Sequence, residues 1–346
     1  MENFLPPNDD VSRLINNSAQ QLYERLKKLD VHNLGIPPHC LEYFLKSHIN
    51  RLFFSIETSA HLLNRALRRT GKRVEEVVLM DYGAGVGTLY LLARLVGCRV
   101  VYNDLLEDWK KSGQLVAEAC GIAIEKYIIG DIDATLEQLN QIALKCDIIA
   151  SRNVIEHIYK LDHFYSSIHK QQPGTIVFSS TTANYYNPAM HLQHVKWHRK
   201  CEKRYMQDRA NIILKIIPGI QKELLAKLSR ATRGLAVKDL DHAIKIFDST
   251  LAMPDPAGFY TNTCDPANGV WAENLLTFKK YRQLIGENRY RVSFLPGFWD
   301  THYKSAIKNR MAVLFNRIIQ QYKKPAFRLA PFIYIIAYPV DQNLNK

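Results

Sequence analysis

The stretch DYGAGVG (81–87), followed directly by TLYLLARLVG (88–97), decides how this chain is read. EEVVLMDYG (75–83) is a short apolar run bounded by glycine, the pattern of a buried strand. TLYLLARLVG has helical periodicity and reaches Gly97 near its end. Strand, glycine turn and helix together open an α/β unit. Outward from that unit the alternation continues: strand CRVVYND (98–104), helix 105–121 closed by Gly121, strand EKYIIGD (125–131), helix 133–145, strand CDIIASRN (146–153), helix 161–170 and strand GTIVFSST (174–181). Such alternation predicts a doubly wound, mostly parallel sheet with helices on both faces.

The flanks read differently. Residues 10–70 carry three- and four-residue apolar spacing and predict helices, the clearest over 41–69. After residue 182 the alternation stops, and an irregular then helical stretch runs to about 250, followed by a Pro/Gly/Asn-rich loop over 253–269. It then resumes with a helix at 271–285, a strand at 289–297, a helix at 301–321 and a last strand at 331–338, which brings the sheet to seven strands. The expected organisation is a helical segment 1–72, an α/β core 73–182, a helical insertion 183–270 after the fifth strand, far longer than an ordinary loop, and the remainder of the core at 271–346.

Composition narrows the function classes. A 47% hydrophobic and 23% charged chain of 346 residues is that of an ordinary folded protein. MENFLPPNDD has acids and prolines where a leader would need a basic start and an apolar core, and APFIYIIAYPV (330–340) is too short to span a bilayer, so the expected location is cytoplasmic. Six cysteines without a CxxC fit reduced thiols better than a disulfide framework or a zinc site. Net charge is +13, and residues 196–245 hold 13 Lys/Arg against 5 Asp/Glu. That excess suits an anionic partner, or else forms a solvated helix face.

The ligand of the glycine loop follows from spacing. A dinucleotide fingerprint, GxGxxG, counted from Gly83 and Gly85 would place its third glycine at 88, where Thr88 stands; here the spacing is GxGxG, through Gly87. Asp81, two residues before the first glycine, would repel a pyrophosphate but suits an ammonium. S-adenosylmethionine has that ammonium, together with a carboxylate, a sulfonium and a ribose, and no phosphate. Asp81 then faces its amino group and the backbone of Gly83, Ala84, Gly85 and Gly87 its body, with helix-start N–H groups for its carboxylate. Asp104, with Leu105 beside it, ends the second strand and suits the ribose hydroxyls; Asp131, with Ile132, ends the third and suits the adenine amino group. Asn153 ends the fourth.

DxGxGxG (Asp81–Gly87), Asp104, the GD of 130–131 and NVIEHI (153–158) resemble the class I S-adenosylmethionine-dependent methyltransferases, in the broad branch that includes quinone-biosynthesis and small-molecule O-methyltransferases. The resemblance covers 75–181 well and 271–340 loosely. It implies a seven-stranded sheet whose last strand is antiparallel, a bound S-adenosylmethionine, and a methyl acceptor near His157, after the fourth strand.

His157 is then the candidate general base, against the alternative that Glu156 and His157 only orient their loop. His191, His194 and His198 in HLQHVKWH (191–198) share one helix face, but no carboxylate completes a site and no metal is assigned to them. Tyr185, Tyr186 and Trp197 would stack on a planar substrate or be core. The expected protein is a methyltransferase acting on an O or N nucleophile of a small or lipid-like, possibly anionic substrate, with the N-terminal helices and the 183–270 insertion as a lid. The alternatives are methylation of RNA or protein through the basic insertion, although SRNV replaces the NPPY-type motif of many nucleic-acid enzymes, and a scaffold that binds cofactor without turnover. A nicotinamide oxidoreductase is disfavoured by Thr88.

Overall fold

The computed structural model describes residues 3–254 and 261–340. In chain order its elements are α1 (Asp10–Lys27), α2 (Pro38–Ser47), α3 (Leu52–Leu67), β1 (Val78–Tyr82), α4 (Leu89–Val96), β2 (Arg99–Asp104), α5 (Glu107–Ala119), β3 (Lys126–Ile129), α6 (Ile132–Gln141), β4 (Ile148–Arg152), α7 (Leu161–Gln171), β5 (Ile176–Thr181), α8 (Pro188–Ile216), α9 (Lys222–Ala231), α10 (Val237–Thr250), α11 (Phe278–Gly286), β6 (Tyr290–Pro296), α12 (Ala306–Gln321), α13 (Lys323–Leu329) and β7 (Ile333–Pro339). Of the predicted loop 253–269, residues 255–260 lie outside the described residues, as do the outer ends (1–2 and 341–346) of the predicted segments 1–72 and 271–346.

The strands form one sheet in the order β3-β2-β1-β4-β5-β7-β6. The first five are parallel, and β7 runs antiparallel to both β5 and β6. Alternate residues of each strand point to opposite faces, and both faces are covered. On one, Leu79, Val100 and Ile148 join Ile15 and Leu22 of α1, Ile56 and Leu63 of α3 and Leu91 of α4. On the other, Met80, Val101 and Ile149 join Leu136 of α6, Ile168 of α7 and Ile285 of α11. The N-terminal helices α1 and α3 are therefore part of the main core. The order reverses between β1 and β4, the point at which doubly wound sheets open a crevice beyond their strand ends.

The long stretch between β5 and α11 contains three helices with a small apolar core of their own: Ile213, Leu228, Leu240, Ile244 and Phe247. Asn187 caps α8 by accepting from the Ala189 and Met190 N–H groups, and Pro188 occupies the first turn, where its missing N–H costs nothing. Asn184 and Asn187 donate to the carbonyls of Phe327, Leu329 and Ala330, fastening the start of this region to the approach to β7. Part of the basic excess is spent internally. Arg209 is fully buried and donates to the Ser229 carbonyl and to Glu202, while Arg233 donates to the Asn262 carbonyl.

The helix predicted at 271–285 begins only at Phe278. Thr277 is its N-cap, accepting from Lys280 N–H, and residues 271–274 use their backbone elsewhere: Trp271 N–H donates to the His157 carbonyl and Asn274 N–H to the Glu156 carbonyl. The helix predicted at 133–145 starts at Ile132 and ends at Gln141. Phe247→Ala removes the largest apolar side chain of the small α8–α10 core. Native-state hydrogen exchange is expected to show α8–α10 opening more readily by about 3 kcal/mol, with β1–β5 unchanged.

Candidate active site

A cavity of about 710 Å³ opens at the ends of β1–β4. Every site residue predicted from sequence lines it: Asp81, Gly83, Ala84, Gly85, Gly87, Asp104, Leu105, Asp131, Ile132, Asn153 and His157.

The glycine loop is shaped by two close approaches. Gly83 has φ +67°, and a Cβ there would lie 2.7 Å from a Val154 methyl. A Cβ on Gly87 would lie 2.9 Å from the Ala84 carbonyl oxygen, which accepts from Gly87 N–H. Thr88 is fully buried. Its hydroxyl donates to the Ser55 carbonyl, lies 2.8 Å from the Ser59 hydroxyl and accepts from Arg152 at 3.0 Å. A glycine at this position would remove that hub between α3 and β4.

The carboxylates differ in environment. Asp81 is 3% exposed and accepts from Tyr90 N–H at 2.9 Å. Burial pushes its pKa up to about 7, against the opposing pull of Arg152. Of the N–H groups at the start of α4 expected to face a ligand carboxylate, that of Tyr90 is held by Asp81. Asp104 accepts from Gly85 N–H at 2.9 Å and Leu106 N–H at 3.2 Å, and burial raises its pKa too. Asp131 is exposed and caps α6 through Ala134 N–H.

Sequence reading missed the groups reaching the cavity from other elements. Arg152, the last residue of β4, donates to Ser55 O at 3.1 Å and Ser59 Oγ at 2.6 Å besides Thr88. His48 is buried, 2.6 Å from the Ser55 hydroxyl, and burial pushes its pKa down to about 3, so it is neutral. Trp109 and Tyr43 form an edge-to-face pair at 5.3 Å, and Tyr82 and Phe164 lie 5.1 Å apart. An apolar run that ends in arginine was the signal available for Arg152.

His157 lies at the other end of the cavity. Its Nδ1 is 2.7 Å from the Trp271 carbonyl oxygen, which can only accept. Nδ1 therefore carries a proton, and the lone pair of the neutral ring is on Nε2. Glu156 beside it is fully buried and belongs to a cluster with His157 and Glu273. The histidines of α8 are committed to backbone: His191 Nδ1 lies 3.0 Å from Tyr185 O, His194 Nε2 3.0 Å from Thr182 O and His198 Nε2 2.7 Å from Glu273 O. Trp197 is 45% exposed beneath Lys200, while Tyr186 packs on Phe278 and accepts from its N–H, so neither lines the cavity.

No family profile and no curated protein matches the chain. Solved structures do. Haemonchus contortus phosphoethanolamine N-methyltransferase 2 with S-adenosyl-L-methionine matches at 13% identity and TM-score 0.37, over 81% of this chain and 52% of that one. PKMT2 of Rickettsia typhi matches at 13% and 0.39, over 81% and 53%. An S-adenosylmethionine-dependent methyltransferase of Mesorhizobium loti matches at 13% and 0.38, over 80% and 97%. This chain thus spans about half the length of the first two. Among the described residues no helix is long and apolar enough to cross a membrane.

The raised pKa of Asp81 has a sign. Native protein holds a proton on Asp81 that the unfolded chain releases near pH 4, so stability is expected to fall as pH rises from about 4 to 7 and to level off above. Urea unfolding of wild type and Asp81→Asn across this range checks it, since the substitution removes Asp81's share of the slope. Gly83→Ala, strained by its φ and by Val154, is expected to cost about 1–3 kcal/mol in the same measurement.

Proposed function

We propose that the chain is an S-adenosylmethionine-dependent methyltransferase acting on an O or N nucleophile of a small or lipid-like substrate. The observation carrying this reading is the crevice at the β1/β4 reversal, where a GxGxG loop meets carboxylates at the ends of three successive strands. The residues present fit that cofactor. Asp81 is a buried carboxylate with one hydrogen bond, and its pKa stays raised although Arg152 is near, so burial outweighs the compensation it has; a ligand ammonium adds more. Asp104 takes the ribose hydroxyls, and Asp131 accepts from the adenine amino group between Leu105 and Ile132. Arg152, the one arginine lining the cavity among the described residues, faces the cofactor carboxylate together with the remaining N–H groups at the start of α4.

When bound, the cofactor supplies an electrophilic methyl group on a sulfonium. The protein aligns an acceptor with it and keeps water out. His157 Nε2, with its lone pair, takes the acceptor's proton. Asn268 and Val270 line the cavity from the segment leading to α11, and we assign that segment and α8–α10 to closing the acceptor side. The exposed lysines of α8–α10 favour an anionic acceptor; methylation of RNA is the reading they leave open.

Calorimetric titration with S-adenosylmethionine, S-adenosylhomocysteine and NAD tests the cofactor. The first two are expected to bind and NAD not. Asp104→Ala is expected to weaken binding at least tenfold, about 1.4 kcal/mol. Binding of NAD alone would overturn the reading.

A further inference from the structure

We propose that Glu156, His157 and Glu273 form a binding site for one divalent cation of the manganese–zinc class at the acceptor end of the cavity. One donor atom from each lies within 4.8 Å of the others, and His157 lines the cavity, giving a path for entry. Donors about 2.1 Å from one ion sit up to roughly 4 Å apart, so a small inward rotation of the carboxylates completes the geometry.

The strongest sign is Glu156. It is fully buried, and neither of its carboxylate oxygens has a hydrogen-bond partner. The Thr181 hydroxyl and Glu156's own backbone N–H approach it only outside hydrogen-bonding geometry. Glu273 Oε2 is also buried without a hydrogen bond. Two carboxylates this close repel each other, and the low-dielectric surroundings strengthen the repulsion. A divalent cation neutralises both at once.

The surroundings present these donors as a metal site requires. His157 donates Nδ1–H to the Trp271 carbonyl at 2.7 Å, which fixes the ring and leaves Nε2 as the ligating atom. Glu273 is held by its backbone, whose carbonyl accepts from His198 Nε2 at 2.7 Å. His194 Nδ1 lies 3.8 Å from Glu273 Oε2, while its Nε2 is engaged with the Thr182 carbonyl. A further imidazole nitrogen therefore faces the cluster. Two carboxylates with an imidazole suit manganese or zinc better than an all-oxygen preference for magnesium or calcium. The cation's role rests on the methyltransferase reading: with Nε2 on the cation, His157 is no longer the base, and the cation would instead bind an acceptor oxygen and lower that hydroxyl's pKa so that its proton leaves to solvent. The site itself does not depend on that reading.

The test is calorimetric titration of MnCl2, and separately ZnCl2, into the chelator-treated full-length protein, with S-adenosylhomocysteine titrated into the same samples. About one cation per chain is expected, bound at least tenfold more weakly by Glu156→Gln and by Glu273→Gln. Both variants should bind S-adenosylhomocysteine within about twofold of wild type, which shows that they are folded; should Glu156→Gln not fold, Glu273→Gln carries the test alone. Absence of saturable binding of either cation, or unchanged affinity in Glu273→Gln, overturns the site. Cation binding without S-adenosylhomocysteine binding keeps the site and overturns the methyltransferase reading, and the converse result separates them the other way.

Discussion

Arg152 ends β4 beside the carboxyl end of β1, and its guanidinium donates to the Ser55 carbonyl, Ser59 and Thr88. One mostly buried cation thereby ties α3, the start of α4 and the central strands into a single wall of the cavity. A guanidinium cannot shed its charge, so burial must be offset by acceptors and by a nearby anion. The three oxygens supply the first, and Asp81 supplies the second only when it is ionised. The glycine loop can stay open only because the residues around it are held from behind in this way. Removing the Thr88 hydroxyl would take one acceptor from Arg152 and one donor from the Ser55 carbonyl, each of which keeps other partners.

Burial explains why Asp81 and Asp104 resist ionisation, while Arg152 pulls Asp81 the other way. Asp81 and Asp104 spend their oxygens on backbone N–H groups of the loop and of the following helix, and those bonds offset only part of the desolvation. A carboxylate in that state gains more from an incoming cation or hydroxyl than a solvated one would, because it has already lost its water. The loop is therefore built before the ligand arrives, and binding exchanges weak compensation for strong.

The sheet and the glycine-loop acids were legible in the sequence because each signal is local. Asp81, Asp104 and Asp131 each close an apolar strand just before a glycine or a helix, and strand-end position alone places them at one crevice. Arg152 of β4, Tyr43 and the C-cap His48 of α2, and Trp109 of α5 reach the same cavity, and nothing near them in sequence marks which way they face. The start of α11 was misread for a related reason. WAENLL has helical periodicity, but its backbone is used by the Glu156 and His157 carbonyls, and that long-range pairing overrides local propensity. The histidines of α8 show the reverse. Their spacing suggested a shared ligand, and each is instead occupied by a separate backbone carbonyl.

That misread segment matters most for chemistry. Residues 152–157 run from Arg152, which braces the wall beside the glycine loop, to Glu156 and His157, with Asn153 between them in a left-handed conformation at φ 54°. The 271–274 segment zips onto this short run by the Trp271 and Asn274 N–H groups and carries Glu273 against Glu156. A displacement of the 271–274 segment would therefore move a charge at the acceptor end and also loosen the backbone that presents His157. Arg152 is held independently, by α3 and Thr88, so the cofactor end would keep its shape. Arg152 and His157 thus share a strand exit but not their supports.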